Sequence, residues 1–76
     1  MHVKLFSHFR EHLPRETRGA ATVELPDGAT IERLLVQLGI DEHVKLITIN
    51  NKPETDRQRV LRDDDAVQIF PPVVGG

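Results

Sequence analysis

The sequence predicts an α+β roll, a single sheet covered on one face by one main helix. Three observations carry that expectation. Apolar residues alternate at both ends of the chain, Val3 and Leu5 near the start and Val67 and Ile69 near the finish, as half-buried strands require. Between them Ile31, Leu34, Leu35 and Leu38 repeat at helical spacing. The order is strand, strand, helix, strand, short strand, strand, which gives two layers around one core and a mixed sheet of four to five strands. The first and last strands are the natural central pair. They run parallel, because the long intervening crossover allows it.

Each element has its own signal. His2 to Phe6 reads as the first strand. Ser7 to Arg18 is polar, with Phe9 and Leu13 four apart, so a short helical turn is expected before Pro14. Thr22 to Leu25 reads as the second strand, stopped by Pro26-Asp27-Gly28. Thr30 is placed to cap the helix, Glu32 to favour its dipole, and Gly39 to close it in the left-handed region. Leu46 to Asn50 is the third strand, and Asn50-Asn51 with Lys52-Pro53 turns the chain. Pro53 to Arg59 carries no strand signal, while Val60-Leu61 suits a short edge piece. Asp63 to Asp65 is expected to be a solvated turn, since aspartate suits turns. Ala66 to Phe70 is the last strand.

Composition excludes several classes. With 76 residues there is room for one domain, expected over 1-76, and for no enclosed active site. A chain of this size buries only about 60% of its unfolded surface, so its margin of stability is thin. The net charge of -2 argues against general nucleic-acid binding, and the absence of Trp and Tyr removes the usual base-stacking platforms. There is no cysteine, hence neither disulfide nor thiolate chemistry from side chains. No apolar run approaches the ~20 residues that span a bilayer, and no signal peptide is read at the amino end. The expected location is the cytoplasm. His8 and His12 are four apart, but further ligands are missing, so no metal site is expected and surface histidines are the simpler reading. Arg10 and the Arg15 to Arg18 stretch read as surface, with Arg10 a weak contact candidate.

The chain closes on FPPVVGG, Phe70 to Gly76. Taken alone, Gly75-Gly76 describes a frayed end, because termini are commonly unordered. Pro71-Pro72 alone describes a strand stop.

The whole pattern is more specific. VKLF followed by FRE, then VELPDGATIERLL, LITINNKP and LRDDDAVQIFPPVVGG, in that order and ending on Gly75-Gly76, resembles the MoaD/ThiS-type ubiquitin-like sulfur carriers. The tail and long first loop resemble the small subunit of molybdopterin synthase. The short connection GIDEHVK is closer to the thiamine-pathway carrier. The usual Asn-Gly and Asp-Gly-Asp of these carriers are replaced by Asn50-Asn51 and Asp63-Asp64-Asp65.

The resemblance implies a β-grasp roll with a flexible C-terminal tail, 71-76. It implies that the Gly76 carboxylate is adenylated by an E1-like enzyme, using ATP bound by that enzyme, and converted to a thiocarboxylate. The carrier is then a protein co-substrate or synthase subunit, not an enzyme alone, and holds no cofactor itself. Its implied partners are the E1-like enzyme, a sulfur donor protein and, on the molybdopterin reading, the synthase large subunit; nucleic acid and membrane are not among them. Thiamine thiazole formation, another thiolation such as that of tRNA, a pure interaction module and a protein modifier are the alternatives.

The tail fits such a use physically. Glycine at Gly75 and Gly76 leaves bare backbone that a narrow channel can enclose. Val73 to Gly76 fully extended spans roughly 13–14 Å. Pro71 and Pro72 fix φ and lower the ordering cost of docking, otherwise about 1–2 kcal/mol per residue. Val73 and Val74 are expected to grip the channel walls, and Phe70, if exposed, to anchor the partner.

Overall fold

The computed structural model describes residues 1–41 and 43–72. Among them are five strands, β1 (His2–Leu5), β2 (Ala20–Thr22), β3 (Leu46–Ile49), β4 (Lys52–Pro53) and β5 (Ala66–Phe70), and one α-helix, α1 (Ile31–Leu38). They form one mixed sheet in the order β2-β1-β5-β3-β4. β1 and β5 are the parallel pair, Val3 opposite Val67 and Leu5 opposite Ile69, and the other pairings are antiparallel. This is the mixed-sheet, single-helix roll that the alternation and the helical stripe predict.

Alternation explains which face is buried. Val3, Leu5, Val67 and Ile69 are all at most 1% exposed, and they pack with Ile31, Leu34 and Leu35 of α1. The opposite face carries Lys4, Thr48, Gln68 and Phe70, with Thr48 Oγ1 3.0 Å from Gln68 Oε1 across the β3–β5 pair.

The helix ends where its capping residues place it. The Thr30 hydroxyl accepts from the Arg33 N–H at 3.3 Å. The neighbouring first-turn donors reach across the chain, Ile31 N–H to the Arg59 carbonyl and Glu32 N–H to the Arg57 carbonyl. Groups that a helix start leaves unpaired thus pin the 57–59 loop. At the far end Gly39 has φ 76°, its N–H donates to the Val36 carbonyl, and Ile40 N–H donates to the Leu35 carbonyl. That is a Schellman closure, with Ile40 buried beside it.

Several elements differ in detail from the sequence reading. The second strand is Ala20–Thr22, not Thr22 to Leu25, because β1 pairs Lys4 with Ala20 and His2 with Thr22. Alanine has little strand propensity, and tertiary pairing overrides it. The polar segment before Pro14 is a 3-10 helix over Ser7–His12, followed by a second over Arg15–Thr17. Phe9 is its fully buried anchor and Leu13 packs partly buried on the core, as read.

Lys52-Pro53 is not part of the turn. Asn50 and Asn51 alone turn the chain, with φ 53° and 69°, and the next two residues return as β4. Two positive φ values make the tight hairpin turn that matches strand twist. Val60 forms an isolated bridge with Thr30 and does not extend the sheet.

The acidic turn is only partly solvated. Asp63 and Asp64 are exposed, but Asp65 is 4% exposed. Its carboxylate accepts from the Asn50 side-chain amide at 3.0 Å and from the Arg62 N–H at 2.8 Å. None of the three aspartates takes a positive φ.

Candidate functional site

β5 is the middle strand of the sheet, held by β1 on one side and β3 on the other. Whatever follows Phe70 therefore leaves from a rigid platform. The platform's rim is well fixed: Lys45 N–H donates to the Phe70 carbonyl at 2.9 Å. Pro71 is buried and Pro72 half-buried, so the proline pair starts against the body of the protein. Neither proline has an N–H to continue a ladder, which ends pairing here.

Phe70 lies on the sheet face away from the helix, opposite in direction to the buried Ile69. It is half-buried because the Phe6 ring stacks on it, centroids 4.2 Å apart and planes 11° from parallel. Lys4 Nζ stands 5.1 Å from the Phe6 centroid, within cation–π range. Leu46, opposite Phe70 in the β3–β5 register, is 39% exposed. Phe6, His8, Leu46, Phe70 and Pro72 border a cleft of about 550 Å³, with Lys45 at its edge. An apolar patch with Lys45 and Lys4 beside it, where the chain leaves the sheet, has the chemistry of a partner anchor.

Of the residues singled out in the tail, Phe70, Pro71 and Pro72 meet at this rim. Val73, Val74, Gly75 and Gly76 lie outside the described residues. Phe6 and Leu46 were not singled out by the sequence, although the signal was present. Period-two alternation puts Phe6 on the face opposite Leu5 and Leu46 on the face opposite Ile47. What was missing was the register that sets them beside Phe70.

The acidic turn at Asp63 to Asp65 precedes β5, at the opposite end of the strand from Pro71, so it does not flank the tail root. The rings of His8 and His12 both stand edge-on to Phe9, with centroids 4.9 Å and 6.0 Å away. No group of three or more metal-ligating side chains occurs among the described residues. No described helix is long and apolar enough to cross a membrane.

A parallel pair at the centre of a mixed sheet, one helix across its inner face and an outgoing central strand define a β-grasp carrier domain. A sequence model of the ThiS family matches residues 3–76, and the chain belongs to that family. It is therefore a small sulfur carrier of ubiquitin-like fold, a class that is not itself enzymatic and works with an E1-like activating enzyme. A search of curated proteins gave no match to the chain.

Proposed function

We propose that the protein carries sulfur as a thiocarboxylate at Gly76 and delivers it in molybdopterin biosynthesis. A carboxylate acylates poorly until one oxygen becomes a good leaving group. In the proposed cycle a Gly76 oxygen attacks the α-phosphate of ATP on the E1-like enzyme and pyrophosphate leaves. The outer sulfur of a persulfide on the donor protein adds to the acyl carbon, and AMP departs with its oxygen. A second thiol then attacks the donor-side sulfur of the resulting acyl disulfide, which frees the thiocarboxylate on Gly76 and leaves the donor as a disulfide. Transfer of that sulfur to the precursor, with water supplying oxygen, restores the carboxylate. The partners supply every acid, base and oxyanion contact. The carrier supplies a narrow tip, a stiff Pro71-Pro72 root and a docking face.

The observation that carries this reading is the stacked Phe6–Phe70 pair with exposed Leu46 at the tail root. Tail and docking face share one rigid strand, so a partner that grips the face aligns the tail. The absence of cysteine is compatible, because no internal thiol can intercept the activated acyl group.

Thiamine thiazole formation is the second reading, favoured by the short connection of residues 39–45 between α1 and β3. Intact-mass measurement of protein isolated from its native cell tests the carrier chemistry. A species with one terminal oxygen replaced by sulfur is expected, and it disappears in a chain lacking Gly76. Only unmodified protein, or lysine-linked conjugates instead, would overturn the proposal. Growth rescue of strains lacking either pathway's carrier separates the two destinations.

A further inference from the structure

The 3-10 segments between β1 and β2 border a second cleft, of about 750 Å³. Arg10, Arg15 and Arg18 all line it, together with Ser7, His8 and Glu11. Three arginines and one glutamate thus border one cleft in a protein whose net charge is -2. No ion pair joins these arginines to a carboxylate among the described residues; the pairs found, Arg57 with Glu32 and Arg59 with Glu54, lie elsewhere.

The cleft is built rather than incidental. Gly19 is buried at φ 83°, and a Cβ there would stand 2.6 Å from Arg10 Cγ and 2.8 Å from the Leu5 carbonyl oxygen. The stem of Arg10 therefore lies directly across Gly19. The loop carrying Arg15 and Arg18 is closed by Thr17 N–H and Thr17 Oγ1 donating to the Pro14 carbonyl at 3.0 and 2.7 Å. Arg18 N–H donates to the Arg15 carbonyl, and Gly19 N–H to Thr17 Oγ1. Arg18 itself is held at φ 54°, a conformation uncommon outside glycine.

We propose that this cleft binds the phosphate group of a small phosphorylated molecule. Arginine without lysine suits planar, bidentate recognition of phosphate oxygens. The volume of about 750 Å³ lies in the range of small-molecule sites. The acidic balance of the rest of the molecule disfavours a long polyanion such as nucleic acid. Ser7 and His8 line both this cleft and the one at the tail root, so a ligand here sits beside the docking face. The proposal stands independently of the chemistry at Gly76.

Amide NMR titration of the full chain with inorganic phosphate and with pyrophosphate tests it. Saturable shifts confined to residues 7–19 are expected. Arg15→Gln, at an exposed side chain, weakens pyrophosphate binding about tenfold, as loss of one charge-assisted hydrogen bond predicts, and Arg15→Lys restores only part. The triple R10Q/R15Q/R18Q variant loses the shifts, with circular dichroism reporting its fold. Three outcomes overturn the proposal: no saturation, equal binding by Arg15→Gln, or tighter binding of a glutamate-rich peptide or short single-stranded oligonucleotide than of pyrophosphate.

Discussion

Asp65 and Gly19 show how much a single position determines here. Burial is the largest influence on the Asp65 carboxyl and pushes its pKa up. The Arg62 N–H, the Asn50 amide and the charges of Arg59 and Arg62 together outweigh it, leaving the group below its ordinary 3.8. A depressed folded-state pKa stabilises the fold above the ordinary value, and that stability is lost as pH falls through the folded value. Asp65→Asn therefore costs about 1–3 kcal/mol at neutral pH, where one acceptor is lost. Its deficit against the parent chain shrinks between about pH 5 and about pH 2 in urea unfolding. A gap that stays constant across that range would assign the loss to shape instead of charge. At Gly19, alanine meets both a left-handed φ and the Arg10 stem against fixed Leu5 backbone. A destabilisation of about 2–4 kcal/mol is expected by the same measurement.

The β3–β4 hairpin and the outer sheet face carry the predictions at the level of elements. Asn50 and Asn51 both adopt positive φ, but their side chains differ in use. Asn50 Oδ1 accepts from Ala66 N–H and its amide donates to Asp65, tying the hairpin to the start of β5. Asn51 is exposed and has no side-chain hydrogen bond among the described residues. Asn51→Gly is expected to stabilise by about 0.5–1 kcal/mol, glycine being strain-free there. Asn50→Gly destabilises, because it removes both ties; thermal unfolding of the two variants distinguishes them. On the sheet face, Leu46→Ala leaves unfolding nearly unchanged, because this side chain is well exposed. It weakens association with the E1-like enzyme by about 1–2 kcal/mol if the patch is its anchor, as calorimetry reads directly. Phe70→Ala weakens both, since it also breaks the Phe6 stack.

For the molecule as a whole, the proposed function divides the chain into a body that is held and a tip that partners act on. β5 lies between β1 and β3, so its end at Phe70 is held by backbone hydrogen bonds from both neighbours. A chain extended by one tryptophan after Gly76 is expected to unfold like the parent, yet to exchange ATP with pyrophosphate on the activating enzyme at background rate. Undiminished exchange would show that the tip need not be slender. Among the described residues 14 buried apolar side chains form a single cluster, on which the stability of a chain this small depends.

The sequence alone determined the helix, its Thr30 and Gly39 ends, the alternation of β1 and β5, and the parallel central pair. These depend on spacing and capping within short stretches, where local sterics decide the outcome. It also marked Phe70, Pro71 and Pro72 as a unit. The tertiary structure decided where β2 begins, that Lys52-Pro53 is a strand, that Asp65 is buried, and that Phe6, Leu46 and Phe70 share one rim. It also brought Arg10, Arg15 and Arg18 into one cleft. The reason is common to all of these: each depends on which residue lies opposite which across the sheet or loop. That register is set by the packing of the whole core, and no short window of the chain encodes it.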